Sequence, residues 1–316
     1  YVELFTESNG GLTTSLINRF NRYGAAPATQ TSGEPHASWA TPGAAGYAST
    51  NWDEQAFQKA GINQFDLSAS GGTDKTRFFT SLTWSDQEGI LIGNRFKRLG
   101  GRVNLDHQAT DKLSLGINFS LARTENFRLA DDNQFSTPLQ MVALSPMTPP
   151  VDPRTGLLSG ALDLNTGLPN SNFPIYYNPS LDVKYNDRTT TVFRNFGTVY
   201  ANYNLSKALT FRTEFGFDLL NQHEVRYFAT QTARNSGAPN GQGEDRWTQE
   251  FNYTTNNFLQ FNKTFDVHNL EVVAGMSFQK SNTSAGNATG QQFASDSYRK
   301  VTSAASITAG SSTETE

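Results

Sequence analysis

The stretch Leu113-Ser114-Leu115-Gly116-Ile117-Asn118-Phe119-Ser120-Leu121-Ala122 decides the fold. Odd positions are apolar and even positions small or polar, a strict period of two. Successive side chains of an extended strand point to opposite faces, so this segment builds one wholly apolar face and one polar face. The same parity governs its neighbours. Leu99, Val103 and Leu105 oppose Arg98, Arg102, Asn104 and Asp106. Leu209, Phe211, Phe215, Phe217 and Leu219 oppose Thr210, Arg212, Glu214 and Asp218. Leu270, Val272, Ala274, Met276 and Phe278 oppose Glu271, Gly275, Ser277 and Gln279. Segments 62–70, 75–86, 190–205 and 247–265 follow the pattern less cleanly, which gives about eight strands.

The connections separate one kind of β protein from another. Those at 70–75, 107–112, 205–208 and 265–269 are tight turns, whereas those at 86–96, 126–189, 229–246 and from 281 onward are long. Short and long alternate without exception. Sorting loops by end is what a transmembrane barrel does, with short turns on one side of the membrane and long loops on the other. Most of these strands also reach the roughly 9–11 residues needed to cross a bilayer at a tilt. Aromatics collect near both ends: Trp84, Phe127, Tyr227, Phe228 and Trp247 toward the long loops, Tyr203, Phe211, Phe261 and Phe265 toward the short turns. Rings at headgroup level form two such girdles.

Composition agrees. Charged residues make up 17% of the 316, against roughly 25% in an average soluble protein. Mean hydropathy is −0.53 and hydrophobic content 36%, so the chain is neither highly charged nor greasy. No apolar run approaches the length of a transmembrane helix. The net charge of −4 leaves no basic stripe to neutralise phosphates, so nucleic acid is not an expected partner. With no cysteine, neither a disulfide framework nor a cysteine-based zinc site is open to it.

Residues 1–60 read differently. Val2, Leu4, Phe5, Leu12, Leu16, Ile17 and Phe20 repeat at helical spacing, and a Gly/Ala/Pro/Ser-rich stretch follows from 24 to 50. Residues 51–57 then form a short helix with Asn51 as its cap.

At this point a family comes into view. Asn51-Trp52-Asp53, followed by Asn63-Gln64-Phe65-Asp66-Leu67-Ser68-Ala69-Ser70-Gly71-Gly72-Thr73-Asp74-Lys75-Thr76-Arg77-Phe78-Phe79, resembles the SusC/RagA group of TonB-dependent transporters. So do Ser85-Asp86-Gln87-Glu88-Gly89-Ile90-Leu91, Phe96-Lys97-Arg98, residues 101–107 (GRVNLDH), 144–150 (LSPMTPP) and 265–275 (FDVHNLEVVAG). The resemblance covers most of residues 51–280. It implies an all-β fold: an antiparallel meander forming part of a large transmembrane β-barrel in the outer membrane of a Gram-negative bacterium. Residues 1–60 would be a periplasmic helical and loop segment leading into the barrel. Residues 61–316 would be a partial barrel of about eight strands with long extracellular loops, the Ser/Thr-rich run 302–316 being one of them. Plug domain, TonB-box peptide and further strands, which such transporters carry, are not visible here, so the chain reads as an internal piece. The implied activity is TonB-dependent import of oligosaccharides or peptides. The implied partners are a SusD-like surface lipoprotein, the TonB complex, the lipid and lipopolysaccharide of the membrane, and a glycan or peptide substrate. The alternative is a self-contained small outer-membrane barrel with an adhesin or structural role.

No enzyme is expected. The four histidines (His36, His107, His223, His268) fall in different elements and suit polar turn and surface positions, and no G-x-S-x-G occurs. Asp131-Asp132 and Glu244-Asp245 read as solvated loop pairs. Asp163-Leu164-Asn165-Thr166-Gly167 opens like a calcium loop but lacks the later bidentate glutamate, so it reads as a turn, and no metal or cofactor is expected. In the long connection, Thr137-Pro138 starts a short helix that Pro146 ends. Phe173, Tyr176 and Tyr177, beside Asn172 and Asn178, are the substrate-contact candidates, since rings next to amides suit stacking on sugars and bonding to hydroxyls. Pinning the loop onto its neighbours is the competing role for the same rings.

Overall fold

The computed structural model describes residues 49–128, 144, 150–151, 156–163, 168–169, 178, 180–232 and 240–316. Helix α1 (Trp52–Ala56) begins with Asn51 accepting from the Asp53 backbone N–H. Then come β1 (Ile62–Gly72), β2 (Thr76–Glu88), β3 (Arg95–Gln108) and β4 (Leu113–Phe127). The two-residue strands β5 (Leu162–Asp163) and β6 (Leu168–Pro169) pair with each other, and α2 (Ser180–Tyr185) follows. The chain finishes with β7 (Asp187–Asn204), β8 (Leu209–Phe228), β9 (Gln242–Phe265), β10 (His268–Phe293) and β11 (Ala304–Thr315).

Among the described residues, nine strands form one antiparallel sheet in the order β1-β2-β3-β4-β7-β8-β9-β10-β11. The sequence had suggested about eight. The added one is β11, inside the Ser/Thr-rich run read as an extracellular loop, and β10 continues through Phe293 to meet it. A ladder is made by the backbone, so small polar side chains pair as readily as apolar ones when both faces stay wet. The loop alternation holds: 73–75, 109–112, 205–208 and 266–267 are tight, while 89–94, 128–186, 229–241 and 294–303 all lie at the other end.

Among the described residues, nothing packs over the apolar face. Leu115 and Ile117 are 40% and 41% exposed. The buried hydrophobics, among them Trp52, Leu181, Tyr227 and Phe293, lie outside the sheet's middle, in or beside the long connections. Across the strands the outward side chains form an apolar band carrying ring contacts Phe119–Phe217, Phe215–Tyr253 and Tyr253–Phe278. Within it Thr213 donates to Asn257 at 2.9 Å, and Lys280 stands at the band's outer edge, where a long cationic chain reaches headgroups.

The band runs diagonally. Direct partners share a face, and the row of Leu67 passes Leu82, Gly101, Leu121, Asn195, Leu219 and Phe251 to reach β10 at Asn282. The apolar stretch of β10, Leu270 to Phe278, centres on Ala274, eight residues lower. That is about 27 Å along the strands against about 34 Å across them, a tilt of about 40°. Outer-membrane barrels tilt by roughly 35–45°. A level slab of hydrocarbon crossing tilted strands must produce this slope.

Strands continue beyond the band on the long-loop side, where outward residues turn charged: Asp86 with Arg95 (2.5 Å), Arg123 with Glu125 (2.7 Å), His223 with Asp245 (2.8 Å). Three aromatic assignments change accordingly. Phe228 falls on the inner face by parity, Trp247 packs on Gly286 well above the band, and Tyr227 is buried among the long connections. None of the three is a headgroup ring. Nor are Glu244 and Asp245 loop residues, since both belong to β9.

Gln58 N–H donates to the Ile90 carbonyl (2.8 Å), Ile92 N–H to Ala56 (2.9 Å) and Glu88 N–H to Gly61 (2.9 Å), so residues 56–61 sit with the β2–β3 connection at the long-loop end. Parity explains it: β1 enters its tight turn at Gly72, so its first residue, Ile62, must start at the opposite end.

Candidate functional site

The inner face carries the functional chemistry, because there the sheet presents ionic and amide side chains instead of hydrocarbon. Tyr200 on β7 donates to Asp106 on β3, reaching over β4. It reaches because the residue between them is Gly116, where a β-carbon would stand 2.2 Å from the Tyr200 ring. Arg212 stacks on the same ring at 4.3 Å and donates to Asn202 at 3.1 Å and to Glu214 at 2.5 Å. Carboxylate, phenol and guanidinium are thereby locked into one layer.

Nearer the outer rim, Arg194 forks onto Asp218 with bonds of 3.0 and 2.5 Å. Phe196 lies beside this pair, its ring 6.0 Å from the Arg194 guanidinium and 50% exposed. Arg194, Phe196, Thr198, Gly216, Asp218 and Asn252 line a groove of about 430 Å³. Two strands away, Arg98 and Arg102 are exposed and have no carboxylate partner among the described residues; Arg102 makes only a 3.3 Å bond to Asn104. Above the band, Glu224 is held by Arg226 (2.5 Å) and Arg188 (3.6 Å), and Glu244 by Arg246 (3.0 Å) and Arg226 (3.7 Å), all on the same face.

At the long-loop end a small cluster around Asp296 and Arg299 ties three connections together. Asp296 accepts from the Tyr227 hydroxyl (2.8 Å) and from the Thr230 N–H (3.0 Å) and hydroxyl (3.1 Å). Arg299 donates to the Asp296 carbonyl (3.0 Å), pairs with Asp187 and lies over the Tyr227 ring at 5.2 Å. Phe293 meets that ring edge-on at 5.2 Å, and Asn186 accepts from Ala229 N–H at 2.9 Å.

What these side chains supply is stacking, ion pairing and hydrogen bonding. His107 bonds Thr76 (2.8 Å) and His223 bonds Asp245 (2.8 Å). No group of three or more metal-ligating side chains occurs among the described residues. The substrate-contact candidates Phe173, Tyr176 and Tyr177, with Asp131-Asp132 and the Thr137–Pro146 helix, lie outside the described residues. The Phe196 groove was missed in the sequence. Its signal was parity, since Phe196 shares a face with Arg194 and Thr198 and breaks their polar series.

An open, tilted antiparallel meander with an apolar outer belt, a polar inner face and loops sorted by end is a section of a transmembrane barrel wall. No family model matches the chain. Among curated relatives it is similar to TonB-dependent receptor P3 of Formosa agariphila, 26% identical over 81% of this chain and 25% of that one. TonB-dependent receptor P26 of the same organism is 27% identical over 75% of this chain and 23% of that one. Among solved structures, the RagAB peptide importer in its closed-closed state matches with a TM-score of 0.68 at 21% identity, over 84% of this chain and 30% of that chain. Its open-open state gives 0.67 at 19% identity, over 96% and 36%. The chain spans about a quarter of the length of the curated relatives it matches. In sequence the chain is thus similar to TonB-dependent receptors, and in fold to part of the RagAB importer.

Proposed function

We propose that this chain supplies part of the wall and outer vestibule of an active importer that takes up oligosaccharides or peptides, driven through TonB and capped by a SusD-like lipoprotein. The observation that carries this reading is the similarity to TonB-dependent receptor P3 over 81% of the chain, laid on a sheet that, among the described residues, does not close on itself. Residues 61–316 provide wall and loops; plug and remaining strands come from the rest of such a transporter. The name of the RagAB structures, a peptide importer, favours peptides as one substrate class. A small closed barrel is disfavoured because, among the described residues, β1 pairs with β2 alone and β11 with β10 alone. The test is uptake of labelled oligosaccharides and peptides by cells carrying the full-length protein, with and without functional TonB. Uptake that needs both protein and TonB supports the proposal; uptake indifferent to TonB refutes it.

A further inference from the structure

We infer that the inner-face groove at Phe196 is a subsite for a carboxylated sugar unit of an oligosaccharide, an inference that rests on the transporter reading above. Phe196 points there: its ring is half exposed on the inner face and stands between polar Arg194 and Thr198 on its own strand. An aromatic face suits the C–H face of a pyranose, because the ring's negative quadrupole meets weakly positive hydrogens. Its row partners are Ser120 on one side and Asp218 on the other, with Asn252 beyond Asp218. Small Ser120 and Gly216 leave the ring's approaches open, and the groove of about 430 Å³ is in the range of roughly 300–1,000 Å³ typical of small-ligand sites.

Charge then selects the sugar. Arg194 is consumed by its fork onto Asp218, so that pair offers hydroxyl-bonding groups without net charge. Arg102 is not consumed. It lies in the same row as Phe196, one strand beyond Ser120 and so about 10 Å away. A planar guanidinium without a carboxylate, beside a stacking platform, fits a planar carboxylate bidentately. Arg98, four residues further out on the same face, is about 14 Å along the strand and in place for a second acidic unit of the same chain.

The experiment measures binding of three probes to the full-length transporter in detergent: tetragalacturonate, maltotetraose and tetraglutamate. Tetragalacturonate is expected to bind best. Arg102→Gln should weaken it on the order of tenfold, as for a charge-assisted hydrogen bond, and Phe196→Ala severalfold, while maltotetraose binding stays unchanged in Arg102→Gln. Arg102→Lys should keep the preference for acidic over neutral sugar, which separates charge from folding. Absent or unaltered tetragalacturonate binding in the variants overturns the inference, as does stronger binding of maltotetraose or of tetraglutamate. TonB-dependent uptake that ignores both substitutions removes the subsite alone, whereas loss of TonB dependence removes the transporter reading.

Discussion

At Gly116 a single missing β-carbon decides what three strands share. Any larger residue there meets the Tyr200 ring and breaks its bond to Asp106. Gly116→Ala is expected to lower barrel stability by about 1–3 kcal/mol, the usual cost of overpacking. Tyr200→Phe, which keeps the ring and loses one hydrogen bond, should cost about 1 kcal/mol. Heat-modifiable gel mobility of the full-length protein measures both, and an unchanged transition in Gly116→Ala would show that the layer is not tight. Asp296 is the corresponding residue among the loops. Asp296→Ala should speed amide exchange at Thr230 and across 294–303 at least about tenfold, because it strands the Tyr227 hydroxyl and the Thr230 N–H together. The turn at 205–208 should not respond. Neither residue was visible in advance. Gly116 looked like one more small residue in an alternating run, and Asp296 has no local signature, since the partners of its carboxylate lie more than sixty positions away.

In single strands, parity is the physics that the sequence displays. β4 was legible because hydrocarbon demands an unbroken apolar series on one face. β11 was not, because nothing apolar marks a strand of Ser, Thr, Ala and Gly. The first residues of β9 and the last part of β10 read as loop in the sequence for the same reason: above the band both faces are wet, and the alternation fades although the ladder continues. Parity also makes a paired prediction. Ile117→Arg should destabilise the barrel by about 2–4 kcal/mol, as for an arginine at the bilayer midplane. Asn118→Arg, one residue on and facing inward, should change stability by less than about 1 kcal/mol, as surface changes generally do. Denaturant unfolding in lipid vesicles reads both; equal costs would contradict the assignment of faces.

For the whole sheet, the two outer strands set the behaviour. Among the described residues β1 and β11 each present an unpaired edge, and in hydrocarbon an unsatisfied backbone group costs several kcal/mol. Residues 1–316 produced alone are therefore expected to aggregate in detergent, or to fold only with further strands supplied. A monodisperse, β-rich, heat-modifiable monomer would show that this chain closes by itself. Family and architecture were legible from motifs and loop alternation. The side on which residues 56–61 sit was not, because it depends on counting strand directions from the first tight turn. The central claim, a single sheet with lipid on one face and water on the other, has a direct test in β4. The 316 residues contain no cysteine, so one can be placed at each position from 113 to 122 of the full-length protein and spin-labelled in lipid vesicles. Accessibility to oxygen should peak at 113, 115, 117, 119 and 121, and accessibility to a water-soluble nickel complex at 114, 118 and 120. Accessibility without a period of two, or low accessibility to both reagents at the odd positions, would contradict the account.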